Sequence, residues 1–137
     1  MSINSWKKEF YKGRIKQAAK DPLAATEHSL KKWKGLKDKH LTKHGLVHRY
    51  GDLRNPDTGN EFDINDSTCA LCQHVKLDPA HYGCAPCPIV KATGSKCDGD
   101  SSPYSAWLKN KDPQPMIQVL KATRKHLKAQ HDNPNQP

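Results

Sequence analysis

The sequence predicts a small, mainly α-helical domain organised around a zinc-binding, cysteine-rich knuckle or loop module, with little or no sheet. Three observations lead to this fold class. Capping residues and helical periodicity occupy both ends of the 137-residue chain. Only 34% of the residues are hydrophobic, below the roughly 45–50% apolar content of ordinary domains, so a large core is not expected. Two Cys-x-x-Cys pairs stand between the helical ends.

Residues 1–45 contain three predicted basic helices. Ser5 is the expected cap of the first helix. The inward residues of this helix recur at nearly helical intervals: Trp6, Phe10, Ile15, and Ala18 or Ala19. The second helix runs from an Asp21 cap to Gly35. Asp38 is the expected cap of a short third helix, Asp38 to His44, which closes at Gly45.

The remaining elements complete one compact domain, residues 1–131. Residues 46–68 are expected to form a surface loop, because residues 55–59 have the composition of a turn. Within this segment, Phe62 to Ile64 forms either a short strand or an apolar contact with the metal module. Residues 69–100 form the zinc module. Residues 101–131 form C-terminal helices beginning at Ser102 and at an Asp112 cap. The last helix has an apolar stripe comprising Met116, Ile117, Leu120, Thr123 or Arg124, and Leu127. Residues 132–137 are expected to be a disordered tail.

The two cysteine pairs predict one structural Zn²⁺. Its expected ligands are Cys69, Cys72, Cys84 and Cys87, because each Cys-x-x-Cys turn presents two sulfurs to the same ion. A closed four-sulfur site leaves no position for water or substrate, so it stabilises the fold and performs no chemistry. Cys97, separated from Cys87 by nine intervening residues, is the leading substitute ligand. Removal of the metal is expected to unfold at least the middle third of the chain.

Other interpretations of the cysteines remain open. The odd number of five cysteines argues against a complete disulfide framework, and the spacing differs from that of ferredoxin iron–sulfur runs. His74 and His81 lie between the pairs, and either could complete a mixed site; the simpler interpretation is that they are exposed loop residues.

The net charge of +9 is concentrated at the two ends. Residues 1–44 hold twelve Lys and Arg against four Asp and Glu (+8), residues 45–108 five against eight (−3), and residues 109–137 six against two (+4). A polyanion is therefore expected to contact the flanking helices rather than the cysteine module. The predicted nucleic-acid or partner contacts are Lys7, Lys8, Lys12, Lys16, Lys31, Lys32, Lys121, Arg124, Lys125 and Lys128. The alternative is a solvated surface that serves solubility.

The pattern favours nucleic-acid phosphates as the ligand, with Trp6 or Trp33 either stacking on a base or packing in the core. No small-molecule substrate is expected. No segment approaches the ~18 apolar residues of a membrane span, and no signal peptide is recognisable, so no membrane partner and a cytoplasmic location are expected.

Catalytic motifs are absent from the sequence, and no enzymatic activity is expected. His40, His44 and His48 are spaced four apart and could hold a metal or serve a nuclease, but Gly45 interrupts their register, which favours a solvated surface. A His-Asn-His-type metal nuclease is retained as an alternative. The eleven residues between the cysteine pairs are too few for its ββα element.

The segment from Asp66 to Trp107 resembles small cysteine-rich proteins of tailed bacteriophages, most of them without assigned function. The resemblance rests on Cys-Ala-Leu-Cys, Gly-Cys-Ala-Pro-Cys-Pro-Ile, Thr-Gly-Ser-Lys-Cys and Ser-Pro-Tyr-Ser-Ala-Trp, and extends less strongly to Lys32–Leu36 and Lys43–Leu46. It implies a compact zinc-binding accessory protein in an infected bacterial cytoplasm, with Cys97 as part of the motif. It also suggests an alternative function, in which the basic helices bind an acidic surface of a host protein and inhibit or redirect that protein.

Overall fold

The computed structural model describes residues 2–77, 86–99 and 101–132. Within these ranges the chain is mainly α-helical, as predicted, with one small sheet. The elements are α1 (Ile3–Phe10), α2 (Ile15–Ala18), α3 (Pro22–Lys34), α4 (Asp38–Lys43), β1 (Val47–Arg49), β2 (Asp52–Arg54), β3 (Glu61–Asp63), a 3-10 turn (Asp66–Thr68), α5 (Ala70–Lys76), α6 (Pro88–Thr93), α7 (Pro103–Asn110) and α8 (Gln114–Asp132). No helix in the described ranges has the length and apolar character needed to cross a membrane.

The N-terminal segment forms two helices rather than the single helix predicted. Ser2, not Ser5, is the N-cap of α1, and the two serines form a capping box in which each side chain accepts from the other's backbone N–H. The helix ends at Phe10, and Gly13 has a φ of +80°, a left-handed conformation that interrupts the helical path before α2.

Helix α3 is the central element and has its predicted boundaries. The Asp21 carboxylate accepts from the Ala24 N–H at 2.8 Å, Pro22 occupies the first helical position, and the helix ends before Gly35. It packs against α1, α2, α5 and α8. Lys37, rather than Asp38, is the N-cap of α4, whereas Gly45 follows the helix with the expected positive φ.

The prediction of a loop over residues 46–68 is wrong, because this segment forms an antiparallel sheet with the strand order β1-β2-β3. Each strand has only three residues, too few for an alternating pattern to show in the sequence. Leu53 is fully buried at the centre of the sheet. Phe62 lies in β3, which settles the open choice for this segment in favour of a strand.

Helix α7 begins directly after its predicted cap, Ser102, whereas α8 begins at Gln114, two residues after Asp112. Ser102 caps α7 by accepting from the Ser105 N–H, and the Asp112 carboxylate accepts from the Gln114 N–H at the start of α8. The buried face of α8 consists of Met116, Ile117, Leu120 and Thr123, with Leu127 half-buried. Asp132 belongs to α8 rather than to the predicted tail, and residues 133–137 lie outside the described residues.

One hydrophobic core draws residues from the N-terminal helices, the sheet, the cysteine segment and the C-terminal helices. Trp6 is fully buried, and Trp33 is buried with its ring 5.2 Å from that of Trp107 in an edge-to-face arrangement. The tryptophans therefore pack in the core, and the alternative in which Trp6 or Trp33 stacks on a base is wrong.

Candidate metal centre and basic surface

Four of the five cysteines lie in the described residues. Cys69 is the N-cap of α5 and Cys72 lies in the first turn of that helix, so a helix start, rather than an isolated knuckle, presents this pair. Cys87 is the N-cap of α6, directly before Pro88, and Cys97 lies between α6 and α7. Cys84, the remaining predicted ligand, and His81 lie outside the described residues.

Cys72 interacts electrostatically with the other described thiols. Cys72 donates a hydrogen bond to Cys69, and this bond holds the pKa of the Cys69 thiol well below its usual value, with Lys32 and Ser29 adding to the effect against burial. The same bond, burial, and the negative charges of Cys69, Cys97 and Cys87 raise the pKa of Cys72. Thiols from α5, α6 and the segment before α7 therefore lie within electrostatic reach of one another.

A cavity of about 290 Å³ adjoins these thiols. Cys69, Cys72 and Cys97 contribute sulfur to its wall, and Lys32 and Ser29 contribute polar groups. Asn65, Asp66, Asp98 and Tyr104 add further polar groups, and the apolar part of the wall consists of Trp33, Ile64, Leu71, Ile89, Met116 and Leu120. Cys97 therefore lines the same cavity as the first cysteine pair.

The donor chemistry fits zinc, because thiolates are the ligands of closed structural zinc sites. Within residues 2–77, 86–99 and 101–132, however, no three His, Cys, Asp or Glu side chains form a metal-binding group. Cys69, Cys72 and Cys87 are the predicted ligands inside these ranges. A complete four-sulfur site requires a further sulfur, from Cys84 or Cys97, and closure of the described thiols around the ion.

His74 is not an exposed loop residue. It lies on α5, is half-buried, and its Nδ1 is 2.6 Å from the Ala19 carbonyl oxygen, to which it donates as the Nδ1–H tautomer. This hydrogen bond ties α5 to the end of α2 and directs the Nδ1 atom to the backbone rather than to the thiols.

Lys32 was predicted as a surface contact, and this prediction is wrong. Its side chain is only 1% exposed, and Nζ donates to the Thr68 carbonyl oxygen at 3.0 Å. Burial lowers the pKa of Lys32, whereas the charges of Cys69, Cys72 and Cys97 act in the opposite direction. Lys32 therefore belongs to the cysteine cluster.

The other predicted contacts lie on two groups of helices. Lys8, Lys12 and Lys16 are exposed on or between α1 and α2, and Lys7 is half-buried with its ammonium 5.0 Å from the Phe62 ring centroid. Exposed positions on α3 and α8 are occupied by Lys31, Lys121, Lys125 and Lys128, with Arg124 half-buried.

A cluster of cations joins α3 to α8. The pKa of Lys34 is lowered by burial and then by the positive charges of Lys121, Arg124 and Lys37. We call Lys34, Lys37, Lys121 and Arg124 the α3–α8 basic surface. Lys34 and Lys37 were not among the predicted contacts, although Lys31, Lys34 and Lys37 recur every three residues at the end of α3. Only the packing of α3 on α8 brings them to the predicted contacts.

The three histidines proposed as a solvated surface or nuclease cluster lie in different environments. His44 is buried, with Nδ1 2.8 Å from the Ser5 hydroxyl and Nε2 2.7 Å from a Glu9 carboxylate oxygen. His40 packs on Phe10, and His48 lies on β1 with its ring stacked 4.0 Å from Trp107. These contacts tie α1 to α4 and the sheet to α7, and they do not present three histidines to one metal.

We expect Glu9→Gln to remove an acid-sensitive part of the stability. Hydrogen bonds from His44 and then Lys43 hold the pKa of Glu9 below its ordinary value of 4.5. A carboxyl with a depressed folded-state pKa stabilises the fold above the unfolded pKa, and this contribution disappears as the pH falls through the folded pKa. Urea unfolding at several pH values should give wild type a higher free energy of unfolding than the variant at pH 6. This difference should disappear as the pH falls below 4.5. A constant difference across this range would contradict the assignment.

No protein-family model matches this chain, and no curated protein or solved structure matches it significantly. Evidence for the function therefore comes from the residues themselves.

Proposed function

We propose that this protein is a non-catalytic, zinc-stabilised binding protein that contacts nucleic-acid phosphates through Lys-rich helices. The observation that carries the proposal is the α3–α8 basic surface, because the packing of α3 on α8 brings Lys34 and Lys37 close to Lys121 and Arg124. Bringing like charges together costs free energy in the free protein, and a polyanion removes this cost by supplying the opposite charge.

Helix α8 extends this surface along its length. Lys121, Lys125 and Lys128 follow at intervals of four and three residues, so they share one side of the helix, and all three are exposed. They span about 10 Å of helix. This run offers several phosphate contacts in a row, as a nucleic-acid backbone requires.

The proposed zinc has a structural role in this scheme. Its ligands are Cys69, Cys72, Cys84 and Cys87, with Cys97 as the substitute. Helix α5, which carries the first pair, packs against α3, and α6, which begins at Cys87, packs against α8. A metal that joins the starts of α5 and α6 would therefore fix α3 relative to α8, and with them the basic surface.

The proposal includes an origin and an alternative, both from the sequence resemblance. The protein would act in the cytoplasm of a phage-infected bacterium. Its alternative ligand is an acidic surface of a host protein, which the same cations would attract. The nuclease alternative has less support, because His40, His44 and His48 make separate contacts within the fold.

Fluorescence anisotropy with labelled duplex and single-stranded oligonucleotides tests the proposal. The binding constant should fall steeply with salt, and the triple substitution K121Q/R124Q/K125Q should weaken binding. On duplex DNA it should also reduce the slope of log K against log salt by up to about 0.9 for each phosphate that the variant no longer neutralises. Sequence should matter little, because phosphate contacts carry no direct base information.

The matched control is K8Q/K12Q/K16Q, which removes the same charge from α1 and α2. We expect this variant to weaken binding less. Equal weakening by the two variants would show that net charge, rather than the α3–α8 basic surface, governs binding. Absence of binding at low salt for the folded, zinc-loaded protein would overturn the nucleic-acid proposal. Capture of a partner from nuclease-treated lysate would then test the host-protein alternative.

A further inference from the structure

The buried Lys32 has no role in phosphate binding, and its surroundings need an explanation. Its ammonium donates to the Thr68 carbonyl oxygen and lines the cavity that Cys69, Cys72 and Cys97 also line. A lysine is almost never fully buried unless it is paired. Cys69, Cys72 and Cys97 favour the charged form of this ammonium, so thiolates of the cysteine cluster can supply its counter-charge, and the carboxyls of Asp66 and Asp98 line the same cavity.

A zinc–thiolate centre in turn needs a positive charge nearby. One Zn²⁺ bound by four thiolates has a net charge of −2, which is unfavourable in a largely apolar cavity unless a cation lies nearby. Groups beyond the direct ligands also orient the ligands and tune the affinity for the metal. Lys32 is placed for both roles, because the carbonyl that it binds belongs to Thr68, the residue directly before Cys69.

We propose that Lys32 is the built-in counter-charge of the thiolate metal centre and positions Cys69 through the Thr68 carbonyl. Lys32 is a positioning residue and not a ligand, since its ammonium has no lone pair for the metal. This inference rests on the zinc centre of the proposed function but not on nucleic-acid binding. Its consequence is an affinity for zinc that depends on a charge outside the ligand set.

The test compares zinc affinity, measured by competition with a chromophoric chelator, in wild type, K32M and K32R. We expect K32M to bind zinc roughly 10–100-fold more weakly, the range found when such outer partners are removed. K32R keeps the positive charge and should retain most of the affinity. The matched control is K31M, which changes the exposed neighbour on the same helix and should leave the affinity unchanged.

A second readout separates charge compensation from ordinary packing. With Co²⁺ in place of Zn²⁺ as a coloured probe, the thiolate-to-metal absorption band should shift in K32M and keep its wild-type position in K32R, because groups beyond the ligands tune the metal centre. A weaker affinity in K32M with an unshifted band would indicate a packing role and overturn the proposal. Unchanged zinc affinity in K32M, or an affinity in K32R as low as that in K32M, would also overturn it. Should K32M not fold, the zinc affinity of K32R decides. An affinity close to that of wild type supports the proposal, and a loss of affinity overturns it.

The outcomes also distinguish this inference from the proposed function. A wild-type protein that binds zinc but not oligonucleotides, and loses zinc affinity in K32M, supports the inference while the nucleic-acid proposal fails. A wild-type protein that binds no zinc overturns both the inference and the zinc-dependent part of the proposed function.

Discussion

Chelation of the metal is expected to unfold at least the cysteine segment and to abolish the cooperative thermal transition of the intact protein. Structural zinc contributes about 10–16 kcal/mol of apparent binding free energy in zinc-finger peptides, whereas whole domains are stable by about 5–15 kcal/mol. A loss of this size is as large as the whole free energy of unfolding of a typical domain, so the metal-free protein is expected to unfold. Circular dichroism with and without chelator, followed by zinc re-addition, measures the effect. A transition that chelator leaves unchanged would contradict the presence of a structural metal.

Substitution of single cysteines tests which residues bind the zinc. Cys72→Ser should lower zinc stoichiometry and stability together, because Cys72 is a predicted ligand that hydrogen-bonds to Cys69 and lines the same cavity as Cys97. Cys84→Ser and Cys97→Ser form a matched pair that identifies the fourth ligand. We expect Cys84→Ser to lose zinc and Cys97→Ser to keep it, and the reverse result would establish Cys97 as the ligand.

Trp6→Ala should destabilise the protein by about 3–5 kcal/mol, the usual cost of removing a large aromatic side chain from a core. Trp6 is fully buried between Phe10 and Phe62, with ring centroids 6.0 and 5.8 Å away. Its indole N–H also donates to the Gly35 carbonyl oxygen at 2.8 Å, so the substitution leaves that acceptor without its partner.

Denaturant unfolding measures the Trp6 effect, with Tyr50→Ala as the control. Tyr50 is 83% exposed at the turn between β1 and β2, and its removal should change stability by less than about 0.5 kcal/mol. A cost below about 1 kcal/mol for Trp6→Ala would show that α1 adds little to the core.

The elements with clear end signals were predictable from the sequence. Helices α3, α7 and α8 follow Asp21, Ser102 and Asp112, whose side chains accept from backbone N–H groups at the helix starts, as their sequence positions indicated. The strands were not predictable, because three residues do not establish a period of two. The helix start at Cys69 was missed because cysteine is not among the preferred capping residues.

The candidate site was predictable in its chemistry but not in its arrangement. The cysteine spacing indicates which thiols can come together. The spacing of the lysines gives no such information, because Lys32 and Lys34 are only two positions apart on α3 and lie in different environments. Lys32 is buried among thiols and Lys34 faces cations from α8. Which lysine enters the core depends on the rotation of α3 relative to its packing partners, and lysine spacing alone does not determine that rotation.

The Thr68 carbonyl accepts from two directions, and this links regions distant in sequence. Lys32 Nζ of α3 donates to it at 3.0 Å and the Tyr11 hydroxyl, directly after α1, donates at 3.1 Å. Any partner that displaces α1 would release one donor from the residue next to Cys69. Reciprocity then requires that zinc alter the affinity for that partner by the same factor as the partner alters the affinity for zinc. The N-terminal helix would thereby respond to occupancy of the proposed metal centre.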